Sequence, residues 1–355
     1  MLYLAIYALL AAIAFEMRKS PNGRHYTYPI VLGFFFIFAA FRFEIGCDWT
    51  GYLRHYHYGP LFEVDAISGY RDPLWWVFLS LVRATGLPYP WLNVAATALF
   101  FFGIHKLARR QPDPLAFLVL LFPVLIIHIG MSGIRQAVAI GIMCIAYNAF
   151  VDRKTVRFVV LVLIASAIHS SAMVFLLLTP LVTGPYSRSR IALAAVLAVP
   201  GTLLMLGSAS AELAIDRYID SGLEAFGAAY RVGLLALTGL AFFILLRRPW
   251  QSTGAPDYKL LSIGSLGMIA LATLLPVSTV IADRLAYYFI PIQALMLARI
   301  SFLPLGRLKG VYALLGFTVL GVTLAVWISV SNHYQACYTP YQTWIFGMPQ
   351  SRYGL

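Results

Sequence analysis

The sequence has little charge and few cysteines. Charged residues make up only 11% of its 355 residues and hydrophobic residues 61%, which far exceeds the apolar content of a soluble domain. This composition is typical of a polytopic protein that has the lipid bilayer as its solvent. Three cysteines are too few for a disulfide scaffold. We therefore expect an all-α polytopic integral membrane protein.

The motifs of several common chemistries are also lacking. The sequence contains no CxxC or HExxH spacing, so a metal site is not expected. It contains neither a GxxxxGK[ST] phosphate loop nor a GxSxG elbow. The lack of an internal repeat disfavours an inverted-repeat transporter. We expect no metal and no cofactor.

The formal charge of +12 does not indicate nucleic-acid binding. Lys and Arg lie in short loops between apolar runs, as the positive-inside rule describes for cytoplasmic loops, and not in clusters on one solvated face. Nucleic acid is therefore not an expected partner. The apolar run 1–15 precedes the basic residues of 16–27, the reverse of a cleavable signal peptide, so we expect a retained first helix with its N-terminus outside.

The apolar runs predict one transmembrane domain over residues 1–355. Run 73–88 contains Arg83, and a crossing there would place the next basic loop outside. We interpret it as an interfacial or re-entrant helix on the outer side, with Asp72 as its N-cap and Pro73 at its first position. The count is then about twelve transmembrane helices plus this half-helix. The runs fall at about 1–15, 28–41, 73–88, 90–105, 114–130, 134–150, 156–168, 170–184, 191–208, 232–246, 260–280, 286–303 and 310–331.

Three hydrophilic segments are predicted to be periplasmic: the loop 42–72, the segment 209–231 and the tail 332–355. The second has the helical spacing of an amphipathic surface helix, although a plain connector is the alternative. The region 156–184 is interpreted as two short segments broken at His169, because one long helix would invert every later basic loop. This break brings His169 toward the outer face.

Arg135 is the firmest functional candidate. The segment Met131-Ser-Gly-Ile-Arg135-Gln136 opens a helix, so the cation of Arg135 adds to the positive end of the helix dipole. Such a position binds anions, and phosphate is the obvious one. Gln136 adds a second polar group. The alternative is an arginine that extends to lipid headgroups.

Arg284 is a second candidate cation, predicted to begin a later helix on the outer side. Tyr287 and Tyr288 follow three and four residues later, so they share its helix face. A guanidinium with stacked tyrosines suits a phosphate next to a sugar. As alternatives, Asp283 pairs with Arg284, and the tyrosines belong to an interfacial belt.

The loop after the second helix supplies further candidates. Gly46 allows a tight turn that presents Asp48, and Tyr52 lies one turn later if the segment is helical. Carboxylates and aromatic rings suit sugar hydroxyls and ring faces, and Arg42 adds a cation. A solvated loop is the alternative.

His169 is embedded in a long apolar stretch. Its ordinary pKa near 6.5 makes it the natural proton acceptor at neutral pH. A hydrogen-bonded structural histidine is the alternative.

Cys47 and Cys337 both fall in predicted outer segments. An oxidising periplasm would permit a disulfide between them.

Several of these motifs carry a family resemblance. The segment Arg42 to Tyr52, the start Arg71-Asp72-Pro73, Gly133-Ile-Arg135-Gln136-Ala-x-Ala139, Ala167-Ile-His169-Ser-Ser-Ala172 and Thr339-Pro-Tyr341 occur in the order found in EpsG-family proteins. That family resembles the Wzy-type polymerases of bacterial exopolysaccharide and O-antigen. Family members often have Glu-Pro where this chain has Asp72-Pro73.

The resemblance implies a glycosyltransferase C-like fold in the bacterial inner membrane, with an active site on the periplasmic face. Such polymerases move a growing glycan from undecaprenyl diphosphate to the non-reducing end of another lipid-linked repeat unit. Arg135, helped by Arg284 and Arg42, would stabilise the leaving diphosphate, and His169, or else Asp48 or Asp72, would accept the hydroxyl proton. A chain-length regulator and a flippase are implied partners.

Two other functions compete. A lipid-linked oligosaccharide flippase or transporter also needs arginines for the diphosphate, but its cavity charges should be accessible from both sides. A non-catalytic scaffold in an export complex needs none of these residues.

Overall fold

The computed structural model describes residues 1–59, 72–184, 187–190, 192 and 227–352. All regular secondary structure in these ranges is helical, apart from one isolated bridge between Arg42 and Thr343. The predicted all-α class is confirmed. The predicted run 191–208, the greater part of the amphipathic segment and residues 60–71 of the loop lie outside the described residues.

The described helices overlap the predicted apolar runs outside 191–208, although Thr279–Arg299 begins seven residues before its run and Trp49–Tyr58 and Asn332–Tyr338 lie in predicted hydrophilic segments. Proline stands at the first position of four helices, as Pro21, Pro73, Pro90 and Pro114, where its fixed φ and missing N–H are tolerated. In chain order the helices are α1 Leu2–Met17, α2 Pro21–Ala40, α3 Trp49–Tyr58, α4 Pro73–Ala84, α5 Pro90–Ala108, α6 Pro114–Leu121, α7 Ile134–Val151, α8 Thr155–Ile168, α9 Thr179–Val182, α10 Ala228–Ala241, α11 Arg247–Ser252, α12 Tyr258–Ala270, α13 Thr279–Arg299, α14 Lys309–Val330 and α15 Asn332–Tyr338.

Tighter or wider turns extend several of these helices. A π-helical stretch, Phe122–Gly130, continues α6 as far as the turn before α7, and Pro123 within it supplies the usual cause of such irregularity. A 3₁₀ helix, Ser170–Leu178, follows α8 after His169. The predicted break at His169 is therefore present.

Five of the described helical segments are long and apolar enough to cross a membrane: Pro90–Ala108, Ile134–Val151, Ala228–Ser252, Thr279–Phe302 and Gly306–Val330. Other apolar helices are shorter, among them Leu2–Met17 and Pro73–Ala84. The 12 residues of α4 rise about 18 Å, less than the roughly 30 Å hydrocarbon core. The count of about twelve spans stays a prediction, as does the re-entrant placement of α4.

The chain divides into two compact units. The first consists of Met1–Cys144, Ile164–Ser170 and Leu297–Leu355. Within it α1 packs on α6 and α14, and α2 packs on α5 and α6. The second consists of Ile145–Leu163 and Ser171–Met296, with α10 packed on α12.

Close helix packing in the first unit fixes α7. An ideal Cβ at Gly103 of α5 would lie 1.9 Å from the carbonyl oxygen of Gly141 of α7, and one at Gly141 would lie 2.8 Å from the Cα of Phe100. Small residues allow such close backbone approach between membrane helices. This crossing anchors the helix that carries Arg135.

Candidate active site around Arg135

Arg135 is the second residue of α7, directly after the turn Met131–Gly133. Its backbone N–H donates to the Tyr52 hydroxyl oxygen over 3.4 Å, so a side chain from α3 covers one free donor of the helix start. The Arg135 side chain is 30% exposed. The predicted helix start is confirmed, and the Arg135 guanidinium at this start remains partly exposed.

Asp72 joins Arg135 to the break after α8. A guanidinium nitrogen of Arg135 lies 3.0 Å from one oxygen of the 5%-exposed Asp72 carboxylate. The other oxygen accepts from the backbone N–H of Ser170 over 2.7 Å, at the start of the 3₁₀ helix, where a carboxylate is stabilising. Two motifs almost one hundred residues apart thus meet on one carboxylate.

Asp72 occupies the N-cap position of α4, as predicted, although its side chain does not cap the helix. Pro73 does occupy the first position of α4, but Asp72 makes no side-chain hydrogen bond to that helix. Its backbone is left-handed, with φ 66° and ψ 56°, which turns the carboxylate toward Arg135 and Ser170.

Asp48 holds the turn in front of Arg135. The Ser132 hydroxyl donates to an Asp48 carboxylate oxygen over 3.0 Å, and the Asp48 backbone N–H lies 3.2 Å from the same hydroxyl. Asp48 is exposed and immediately precedes α3. The loop after α2 and the start of α7 are therefore tied together by a reciprocal pair.

Gly46 makes this approach possible. Its φ is +99°, and an ideal Cβ there would lie 2.2 Å from the Met131 carbonyl oxygen. Next to it, Cys47 forms the predicted disulfide with Cys337, and the Gly46 N–H donates to the Cys337 carbonyl oxygen over 2.8 Å. The chain's late segment thereby secures the loop that carries Asp48.

His169 lies between α8 and the 3₁₀ helix and is 7% exposed. Its backbone N–H still bonds to the Ala165 carbonyl oxygen over 2.9 Å. Its neighbour Ser170 is the residue bonded to Asp72, so His169 lies one residue from the Arg135 network. Gln136 is also buried, at 6% exposure.

The EpsG family model matches residues 25–343, and this range contains every residue of the network just described. The chain belongs to the EpsG family. Neither a curated protein nor a solved structure matches it. Membership confirms the resemblance seen in the sequence motifs. With the apolar helices it identifies a membrane protein and points to an exopolysaccharide-related polymerase.

Arg42 of this EpsG-family protein has a different environment from the one predicted. The side chain is 1% exposed. Its guanidinium donates to the Ile45 and Ala39 carbonyl oxygens over 3.1 and 2.5 Å, and to Asn93 Oδ1 over 2.8 Å. These bonds shape the loop before Asp48. We therefore assign Arg42 to positioning, because a substrate phosphate could not reach it.

The second unit holds Arg284, Tyr287 and Tyr288 on α13. Arg284 is in the second turn of this helix, which begins at Thr279, and so does not open it as predicted. Tyr288 is fully buried, with its hydroxyl 3.1 Å from the Ser171 hydroxyl. It has no surface for a sugar.

Arg231 lies beside Tyr287. Its guanidinium lies 5.7 Å from the Tyr287 ring centroid, and its Nε is 2.7 Å from an Asp283 oxygen. Asp283 therefore pairs with Arg231, not with Arg284 as the sequence alternative held. Arg231 is the last residue of the predicted segment 209–231. Nothing in the sequence distinguished it from an ordinary loop cation.

Three residues at this site were not predicted from the sequence: Ser132, Ser170 and His55. Serines are common in loops, and only the structure shows which backbone or carboxylate each one meets. His55 lies three residues after Tyr52 in α3, a spacing that places both on one helix face and that could have identified it. In the part of the chain that the structure describes, no three His, Cys, Asp or Glu side chains lie together as metal ligands would.

The arrangement suits binding of an anion at the start of α7. The positive helix end and the Arg135 guanidinium act together. One ion pair with Asp72 orients the guanidinium and leaves further N–H donors for a second anion. Exposed Asp48 contacts the turn before Arg135, and half-buried Tyr52 contacts the Arg135 backbone N–H, so both lie at the helix start, where they can meet sugar hydroxyls and a ring face.

Proposed function

We propose that this EpsG-family protein is a polysaccharide polymerase of the membrane glycosyltransferase class. It transfers a growing glycan from undecaprenyl diphosphate to the non-reducing end of a lipid-linked repeat unit, at the periplasmic face of the bacterial inner membrane. The observation that carries this proposal is Arg135, a partly exposed cation oriented by a buried carboxylate at a helix N-terminus.

The chemistry requires a charge-stabilising group for the leaving diphosphate. Cleavage of the anomeric C–O bond leaves an electron pair on a phosphate oxygen, and negative charge grows there in the transition state. A preorganised cation and helix dipole stabilise that charge more strongly than water does. Arg135 is suited to this role because Asp72 fixes its direction before substrate binds.

Asp72 is better suited to orient Arg135 than to accept a proton. One of its oxygens pairs with the guanidinium and the other accepts from Ser170. Protonation of the carboxylate would break the ion pair that holds the catalytic cation. One carboxylate oxygen of Asp48 accepts a hydrogen bond from the Ser132 hydroxyl.

The Cys47–Cys337 disulfide supports the proposed periplasmic orientation. Disulfides persist in oxidising compartments such as the periplasm and are rare in the cytosol. Cys47 directly precedes Asp48, so the bond and the site belong to the same side of the membrane.

The test is polymerisation by purified protein in detergent, supplied with lipid-linked repeat units. We expect ladders of longer glycan from the native protein, and a rate reduced by about 10²–10³-fold in Arg135→Ala, as when one oxyanion donor is lost. Arg54→Ala removes an exposed cation from the neighbouring α3 and serves as the matched control.

The outcomes separate the candidate functions. No ladder from native protein with intact substrate contradicts the polymerase proposal and favours transport. Normal ladders from Arg135→Ala contradict the assigned role of Arg135. If glycan length in cells is also unchanged by Arg135→Ala and His169→Ala, the scaffold is favoured.

A further inference from the structure

A polymerase needs a group that removes the proton from the attacking sugar hydroxyl, and that group must be within hydrogen-bond reach of substrate. His169 and Asp72 meet this condition poorly. His169 is 7% exposed, and both oxygens of Asp72 are engaged. An accessible base beside Arg135 would fit better.

His55 has the required accessibility. It lies on α3 and is exposed. Its ring is 6.4 Å from the Tyr52 ring and 5.4 Å from the Trp76 ring of α4, centroid to centroid. Among the described residues, no hydrogen bond to either ring nitrogen is formed, so a nitrogen lone pair is available to a hydroxyl.

His55 is one helix turn from a residue that contacts the start of α7, the helix that carries the cation proposed to bind the diphosphate. Tyr52, three residues earlier in the same helix, touches the backbone of Arg135 through its hydroxyl. Partial burial, and then the charge of Arg135, lower the pKa of His55 from its ordinary value. Among the described residues, Arg135 from α7 and Tyr52 from α3 are the charged or titratable groups facing it, and Trp76 of α4 carries no charge. The imidazole is therefore neutral at neutral pH.

We propose that His55 is the proton acceptor for the attacking sugar hydroxyl, an assignment that rests on the proposed polymerase function. The hydroxyl oxygen forms a bond to the anomeric carbon of the growing glycan as the bond from that carbon to the diphosphate oxygen breaks. The proton passes to the free nitrogen of His55, and the electron pair of the broken bond stays on the diphosphate beside Arg135. The imidazolium then releases its proton to solvent.

The aromatic neighbours favour a sugar at this place. The Tyr52 ring of α3 and the Trp76 ring of α4 both lie near the His55 ring. Aromatic faces present large apolar surface with little conformational entropy, which suits the apolar face of a sugar ring. A ring held there would direct a hydroxyl to the imidazole.

The experiment is the pH dependence of ladder formation in detergent for native protein, His55→Gln, His169→Gln and the control His57→Gln. His57 is an exposed histidine on the same helix. We expect native kcat to fall on the acid side with a midpoint below about 6.5. His55→Gln should be slower by about 10²–10⁴-fold and should lose this acid limb. His57→Gln should keep both the native rate and the acid limb.

A structural role for His55 would not predict rescue by a free base. We expect added imidazole to restore part of the activity of His55→Ala but not of Arg135→Ala. This second variant also covers the case in which His55→Gln folds poorly.

The outcomes separate the assignment of His55 from the proposed polymerase function on which it rests. Ladders from native protein, together with an unchanged rate and acid limb in His55→Gln, overturn the assignment while the polymerase function stands. Loss of the acid limb in His169→Gln alone overturns it in favour of His169. No ladders from native protein remove both proposals.

Discussion

Asp72 has a backbone conformation that L-amino acids rarely adopt, with φ 66°. Such strain costs on the order of 1–3 kcal/mol and persists only where the surroundings hold it. Here the conformation is held by the 3.0 Å ion pair with Arg135 and by the 2.7 Å hydrogen bond from the Ser170 N–H. A positive φ, a buried carboxylate and an orientated cation at one residue are consistent with a functional position.

The substitution Asp72→Asn separates its two roles. Asparagine keeps an oxygen for the Ser170 N–H but loses the charge that orients Arg135. We expect a folded protein with polymerisation reduced by roughly tenfold to a hundredfold, since misplacement of a catalytic group costs up to about 10²-fold. The measurement is the initial rate of ladder formation, with thermal unfolding in detergent as a check on folding. An unchanged rate would contradict the positioning role.

Gly46 is the residue at which backbone geometry most constrains the site. Gly46→Ala would place a Cβ 2.2 Å from the Met131 carbonyl oxygen at φ +99°. We expect at least about 1–3 kcal/mol of destabilisation, measured as a lower melting temperature in detergent, with loss of activity.

Gly51 provides the matched control for this prediction. It lies five residues later in α3, and a Cβ there meets nothing within 4 Å. Gly51→Ala should leave stability unchanged or raise it by about 0.5–1 kcal/mol, because alanine favours a helix. Equal melting temperatures for Gly46→Ala and Gly51→Ala would contradict the steric argument.

At the scale of elements, the sequence predicted the start of α7 and the break after α8. Both depend on local signals. Gly133 and the following apolar run mark a helix start, and His-Ser-Ser interrupts an apolar stretch whose loop charges require a break. Neither inference needed knowledge of distant contacts.

The burial of Arg42 and Tyr288 could not be predicted in the same way. Arg42 looks like any arginine at a helix end, and its bond to Asn93 joins residues 51 positions apart. The Tyr288 hydroxyl meets Ser171, 117 positions away. Tertiary partners decide whether a polar side chain faces substrate or supports the backbone, and helical spacing does not identify those partners.

The contact between α3 and α7 gives a prediction about elements. Tyr52→Phe keeps the ring that packs 5.6 Å from Trp75 but leaves the Arg135 N–H without its partner. We expect a loss of about 0.5–1.5 kcal/mol of stability and slower polymerisation, measured by thermal unfolding and ladder rate.

Tyr58→Phe is the control for this change. Tyr58 is the last residue of the same helix and is 57% exposed, so loss of its hydroxyl should alter neither quantity. A Tyr52→Phe protein as stable and active as Tyr58→Phe would contradict a role for α3 in holding the start of α7.

At the scale of the whole chain, the late segment, residues 337–352, is bonded to the loop that carries Asp48. The Phe43 N–H donates to the Gln342 carbonyl oxygen over 2.9 Å, and the Trp344 N–H donates to the Phe41 carbonyl oxygen over 3.1 Å. The carboxylate of buried Glu44 accepts from the Arg352 N–H over 2.7 Å. The disulfide adds a covalent link across 290 residues. The position of Asp48 therefore depends on the far end of the sequence.

We expect the double variant Cys47→Ser, Cys337→Ser to lose about 2–4 kcal/mol of stability, the usual contribution of a native disulfide. Its polymerisation should slow because the Gly46–Asp48 loop is then held to the late segment by hydrogen bonds alone. Reductant should lower the melting temperature of native protein by as much as the double substitution does. It should not change the melting temperature of the double variant. Cys144→Ala, which removes the buried free thiol, should respond to reductant as native protein does. Native protein whose melting temperature and ladder rate are insensitive to reductant, with Cys47 and Cys337 both alkylated, would contradict a role for this bond in holding the site.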